Sequence, residues 1–396
     1  MTAAQAIAYL RSPLAIRARC EAIYQTGLAG SLEHFRVHLE ALPGVVDEVV
    51  RVTRERYPEL RIPVFGRINQ FGADRVAALD AKLGDDRARA WIDLVVVSVL
   101  LDAGAGEQWT YRDGDLAIGR SEGLAVASLR AFEAGVFSSD PARPLSVDAS
   151  ALASLDHARL AAAFQSSGQN LLPGMVGRVN VLRALGAALV RSPTYFPGGR
   201  PGGLLDYFRS IAPHQLPAAE LLITLLEGLS PIWPGGIEIE GVDLGDVGRH
   251  RAAGGSGPTE GLVPFHGPSQ WLAYSLLEPL ERAGLPIAQP EALTGLAEEC
   301  HGGLFVDLGV LVPTHARARA IAHPPGSELI VEWRALTVAL LDRVATSVRE
   351  RLGASPLQMP LTCVLEGGTW AAGRAVAGRL RPGGAPPIRI EADGTL

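Results

Sequence analysis

Within residues 245–271 the chain gathers an acid (Asp246), a guanidinium (Arg249), two imidazoles (His250 and His266), an amide (Gln270) and an indole (Trp271). The segment reads Gly-Asp-Val-Gly-Arg-His, then a Gly-rich link, then Phe-His-Gly-Pro-Ser-Gln-Trp. Loops held by a rigid scaffold are where binding and catalytic groups collect. Asp246 and His250 have the types of an acid–base pair, and ordinary turn chemistry accounts for them equally well. Gln270 and His266 are less easily explained as filler, because a buried amide or imidazole needs partners. Ser269 also reads as a helix N-cap, and Trp271 as core, since Leu272, Ser275, Leu276 and Pro279 continue its face.

Three further stretches carry chemistry-bearing side chains. Ser327 is an N-cap candidate for a long helix that opens with Glu328, whose charge suits the helix dipole. Glu332 follows on the Glu328 face, and Trp333 and Arg334 come next; a buried Glu332–Arg334 pair and a ligand-facing pair both fit. Arg120-Ser121-Glu122-Gly123 precedes an apolar helix and offers N–H groups to an anion, or is simply an acidic first turn. Glu366-Gly367-Gly368-Thr369-Trp370 has two glycines that let backbone approach a ligand, or form a plain turn.

Other chemistries find no support. The pair His34/His38 has the spacing of two ligands on one helix face but lacks the Glu and third ligand of a zinc motif, so no metal and no cofactor is expected. No Gly-x-Ser-x-Gly elbow is present, and Cys300-His301 adjacency does not place two side chains face to face. Cys20, Cys300 and Cys363 are odd in number and far apart, so neither a disulfide framework nor a CxxC site follows. The net charge of −6, with no basic arm, disfavours nucleic acid, whose phosphates dominate binding. Nearly all basic residues are Arg, with Lys82 the single Lys. Arg11, Arg17 and Arg19 interrupt any leader-like apolar run, and the longest apolar run, 94–101, is far below the roughly 20 residues of a spanning helix. A cytoplasmic protein with no membrane partner is expected, with oligomerisation open.

The elements that must position these groups are mostly helical. With 47% hydrophobic and 20% charged residues, the chain can bury a large core. Apolar periodicity predicts helices over 85–103, 120–137, 148–165, 174–191, 217–229, 268–283 and 327–352, and an amphipathic helix starting at Ser31 with His34 and Phe35. Residues 61–74 and 195–203 read as loops, 231–236 as a turn and 237–242 as a short strand; the tail after Arg381 holds one more strand. The turn 171–174 resembles that of a helix-hairpin-helix element. Without βαβ alternation the class is mainly α with a few short strands. The expected organisation is an N-terminal helical lobe, 1–150, and a C-terminal lobe, 151–396, carrying most of the pocket within one continuous fold.

The runs 91–106, 120–128, 135–141, 231–235, 245–250, 261–266, 269–272, 302–311, 331–337 and 366–370, in this order, resemble the uracil-catabolism protein four family, almost end to end. Residues 328–342 and 262–272 also look similar to segments of queuosine-nucleotide N-glycosidases, which implies a two-lobed, all-helical, DNA-glycosylase-like fold. Three places depart from the family pattern: 65–71 keeps Arg67 and Phe71 without the usual His and Trp, Gly248 stands where a Trp is expected, and 298–301 replaces a Tyr-Arg-Asn run. The resemblance implies a step of pyrimidine (uracil) catabolism. The reaction it implies is hydrolysis of the N-glycosidic bond of a ribosylurea or related ribonucleotide to urea and ribose or ribose phosphate. Its oxocarbenium-like transition state wants a carboxylate, Asp246 or Glu332, and its leaving group a proton donor, His250 or His266. Gln270 would bind the ureido group, Trp271 or Trp333 would stack, and Arg67 and Arg334 would hold a 5′-phosphate. Arg120, Arg249 and Glu366 complete the expected substrate-binding set. A ureido amidohydrolase and a non-catalytic nucleotide-binding paralogue are the alternatives.

Overall fold

A computed structural model describes residues 1–106, 108–229, 232–233 and 235–391. Helices dominate, and strands of two to four residues pair only two at a time among the described residues. The fold is therefore mainly α, as the apolar periodicity predicts. No helix among the described residues is long and apolar enough to cross a membrane. The chain divides into two compact units, each assembled from separated segments.

The first unit comprises Met1–Phe65, Trp233–Gln270 and Gln289–Glu391. Its axis is the 25-residue helix Glu328–Leu352, closed by Gly353 in the left-handed conformation that glycine adopts at helix ends. Helices Pro13–Leu28 and Leu42–Arg56 pack along it. Pro13–Leu28 starts as helix-end chemistry requires: the Ser12 side chain accepts from the Ala15 N–H at 3.2 Å, and Pro13 takes the first helical position. Hairpin Val247–Arg249/Leu262–Pro264 lies against the long helix at Gly248, where a Cβ would stand 2.5 Å from Val331 Cγ2.

The second unit contains Gly66–Ile232 and Trp271–Ala288. Helix Arg87–Leu100 is buried continuously from Ala90 to Leu100, the mark of a helix enclosed on all sides. One charge sits inside that run. Asp93 accepts the N–H of Gly202 at 2.6 Å and of Val147 at 3.0 Å, and Arg200 binds it through Nε at 3.0 Å and through Nη2. A single carboxylate thus fixes two loops and an arginine. Burial pushes the Asp93 carboxyl up to about 6 against the pull of Arg200.

Several elements differ from expectation. Instead of a helix near Ser31, Phe35–Val37 is a strand antiparallel to Leu311–Pro313. Gly30, at a φ of +70°, ends the preceding helical turn, and the Phe35 N–H is claimed by a carboxylate from the long helix. His34 and His38 consequently lie on non-helical chain, where their spacing brings no shared face. Residues 148–165 form two helices, Ala149–Ser154 and His157–Ala163, because Asp148 and Asp156 each cap a new start. Segment 61–74 contains the helical turn Ile68–Phe71 and the first residues of helix Ala73–Asp80, and the 237–242 strand is a small hairpin, Glu238–Ile239 with Val242–Asp243. Of the expected 231–236 turn, Pro231 and Pro234 lie outside the described residues.

Gly248→Ala should lower the unfolding free energy by about 1–3 kcal/mol, because Val331 sits in helix and cannot retreat far; chemical denaturation reads this. A second expectation concerns pH. A carboxyl raised from 3.8 to about 6 on folding makes the folded state bind the extra proton between those values. The contribution of Asp93 therefore strengthens as pH falls from about 6 to about 4. Wild type should gain stability relative to Asp93→Asn across that window, and the difference should be flat above it.

Candidate functional site

The first unit brings Asp246, His266 and Arg334 together. Asp246 ends the turn before strand Val247–Arg249, and its backbone carbonyl accepts the N–H groups of Phe265 and His266 across the hairpin. Its carboxylate takes a two-point grip from Arg334, at 2.7 Å from Nη1 and 2.6 Å from Nη2, and the Gly267 N–H at 2.8 Å. The guanidinium also lies 4.1 Å from the centre of the Phe265 ring. Burial works to raise the Asp246 pKa, but the charge and hydrogen bonds of Arg334 outweigh it and hold the carboxyl below its ordinary value. Asp246 is therefore ionised at neutral pH. Both partners keep a little solvent contact, at 12% and 16% side-chain exposure.

His266 adjoins this pair in a left-handed backbone conformation, φ +49°, which costs energy for a residue with a side chain. Its Nε2–H donates to the Leu10 carbonyl at 2.9 Å. The other ring nitrogen, Nδ1, is buried and has no hydrogen-bond partner among the described residues. Burial lowers the His266 pKa, so the ring is neutral and Nδ1 presents a lone pair. What this arrangement can do is hold a fixed negative charge beside a proton acceptor.

Glu332 and His250 form a different centre. Glu332 Oε1 accepts the backbone N–H groups of His34 at 3.1 Å and Phe35 at 2.8 Å. Its Oε2 accepts from His250 Nε2–H at 3.1 Å, while His250 Nδ1 accepts from the Ala252 N–H. Both side chains are buried and fully engaged, so this pair anchors a strand and a turn to the long helix. Gln270 is likewise consumed: its amide donates to Phe265 O and Thr294 Oγ1 and accepts from the Thr294 N–H. Trp333 is wedged against Gly302, where a Cβ would come within 2.7 Å of the indole.

Arg249 lies exposed on its strand. Glu366 sits in a π-helical turn, Leu365–Thr369, and its Oε1 accepts from Arg56 Nη2 and the Tyr57 hydroxyl, each at 2.9 Å. The glycines beside it serve close helix packing: a Cβ on Gly368 would stand 2.4 Å from Thr53 Oγ1. Glu33, His34 and Glu328 place ligand atoms within 4.8 Å of one another, as metal ligands do. Both acids already have a cationic partner in Arg251, which pairs with Glu33 and lies 3.4 Å from Glu328.

The second unit holds Arg67 and Trp271 in one cluster with four residues that sequence reading did not single out as site residues: Gln70, Ser98, Asp102 and Ser121. Arg67 is wholly buried and pairs with Asp102 at 2.9 Å. It also donates to Ser98 Oγ at 2.8 Å and Ser121 Oγ at 2.9 Å. Trp271 Nε1 donates to Asp102 at 3.2 Å. Burial pushes the Asp102 carboxyl above its ordinary value against the pull of Arg67 and Ser121. The available signal was the polar, glycine-rich Asp102–Gly106 tail on an apolar run. Arg120, one residue before Ser121, is exposed with φ +57°.

The family described as "Protein of unknown function (DUF1688)" matches residues 9–396. A relative in Schizosaccharomyces pombe (strain 972 / ATCC 24843), "Protein urg3", is 41% identical over 412 residues, covering 99% of each chain. "Uracil catabolism protein 4" of Lachancea kluyveri is 34% identical over 441 residues, covering 100% of each. The chain belongs to this family.

Glu332→Ala should remove roughly 3 kcal/mol or more of stability, since it strands two backbone N–H groups and the His250 ring. Denaturant unfolding measures the loss; a stability within 1 kcal/mol of wild type, with at least as large a margin as error, contradicts the anchoring role.

Proposed function

We propose that this member of the family acts in uracil catabolism, by hydrolysing the N-glycosidic bond of a ribosylurea or a related ribonucleotide to urea and ribose or ribose phosphate. The name of the Lachancea kluyveri relative, "Uracil catabolism protein 4", supports the place in uracil catabolism. The observation that carries the chemistry is the ionised Asp246 beside a neutral His266 whose Nδ1 lone pair is free. Positive charge that builds at C1′ as the bond to nitrogen lengthens is stabilised by a fixed carboxylate. Water adds its oxygen to C1′ and gives a proton to His266 Nδ1, and the departing ureido nitrogen takes a proton from solvent. In this reading His266 is a base rather than the proton donor expected from the sequence, because its lowered pKa leaves it uncharged at neutral pH. Arg334 positions Asp246. Glu332 and His250 take no part in bond breaking, since their donors and acceptors are bound internally.

Incubation with ribosylurea and with its 5′-phosphate, followed by parallel assays of urea, ammonia and reducing sugar, tests the reading. Urea and reducing sugar should appear in equal amounts without ammonia. Asp246→Asn and His266→Gln should each lose about a hundredfold or more. Ammonia release would select cleavage of the ureido C–N bond instead. Ligand-induced thermal stabilisation without product would select a binding protein.

A further inference from the structure

The Arg67–Asp102 cluster of the second unit has one unsatisfied donor and one acceptor oxygen with spare capacity. Arg67 Nη2 is buried with no hydrogen-bond partner among the described residues. A guanidinium N–H taken out of water and left unpaired is costly, so such groups need a reason. On the acid, Oδ2 receives Arg67 Nη1 and Trp271 Nε1, whereas Oδ1 receives the Ser121 hydroxyl at 2.7 Å. A carboxylate oxygen accepts two hydrogen bonds, which leaves Oδ1 one open lone pair.

The cluster is rigid. Arg178, itself buried, donates to the carbonyls of Leu101 and Gly104, on both sides of Asp102. Ser98, one helical turn before Asp102, holds Arg67 Nε, and Ser275 Oγ accepts the Arg67 backbone N–H at 3.2 Å. The acid side of the cluster borders solvent: the Asp102 side chain is 12% exposed and Gln70 and Ser121 are half-buried, while Arg67 behind them is wholly buried. The charges of Arg67 and Asp102 cancel, so an anion such as phosphate would gain one partner and be repelled by the other.

We propose that Arg67 Nη2 and Asp102 Oδ1 form a binding site for a small neutral ligand that presents an N–H beside a C=O, a ureide or cyclic imide. Asp102 accepts the ligand N–H and Arg67 donates to its carbonyl. This site shares no residue with the Asp246–His266 pair and stands whether or not that pair is catalytic.

The test uses the full chain and three probes: uracil, N-methylurea and inorganic phosphate. Titration calorimetry should detect uracil or N-methylurea but not phosphate. Asp102→Asn and Ser121→Ala should weaken that binding by about tenfold or more, whereas Arg61→Ala, at an exposed residue outside the cluster, should leave it unchanged. Because a variant of a buried cluster can misfold, a wild-type measurement accompanies it. The indole N–H resonance of Trp271, assigned by its loss in Trp271→Phe, should shift on adding uracil or N-methylurea, since that N–H is donated to Asp102. Binding of phosphate alone, binding insensitive to both variants, or an unmoved Trp271 resonance at saturation each overturns the proposal.

Discussion

Four consecutive residues near the start of the Glu328–Leu352 helix hold the first unit in register. Successive side chains on a helix point about 100° apart, so four of them sweep nearly the whole circumference. Val331 meets the Gly248 strand, Glu332 meets the backbone of His34 and Phe35, Trp333 meets Gly302, and Arg334 meets Asp246. Each contact has a different physical character: close packing, a charge-assisted anchor to backbone, an aromatic wedge and a two-point ion pair. Because one rigid helix carries all four, a shift that improves one contact spoils another. The position of Asp246 beside His266 follows from this.

The carboxyls of the two units are shifted in opposite directions. Asp246 meets a full guanidinium fork and stays ionised. Asp93 and Asp102 also pair with arginines, yet burial wins and both carboxyls are raised. The outcome for each carboxyl is set by how much water was removed against how many donors replaced it. Asp246 and Asp102 thus differ in the direction of their shift although each is paired with an arginine.

Helical period made the large elements legible. Leucines, valines and alanines recur on one face of 174–191 and 217–229, and the run through 90–100 is apolar on every face; glycine or aspartate marks several ends. The strand at Phe35 was not legible, because what decides it is a carboxylate about 300 positions away. Asp246, His266 and Arg334 were legible as candidates from their residue types on turn-rich chain. The duties of Glu332 and Gln270 were not, since their partners are backbone groups that any residue carries. Asp102 was hidden at the end of an apolar run, where it reads as a helix terminus. Gly248, where the resemblance led to the expectation of an indole, lies so close to Val331 that the helix side chain stands where a Cβ would be.

The first unit is discontinuous in sequence, and this sets an order of assembly. Phe35 and its strand partner Pro313 are separated by almost the whole second unit in the order of synthesis. At about 5–20 residues per second, the N–H groups of His34 and Phe35 leave the ribosome roughly 15–60 s before the carboxylate that satisfies them. Over that interval the first 65 residues, with apolar helix faces at Ile16, Ile23, Val45 and Val49, have no core to enter. The nascent chain must therefore be kept from premature association until its last third arrives.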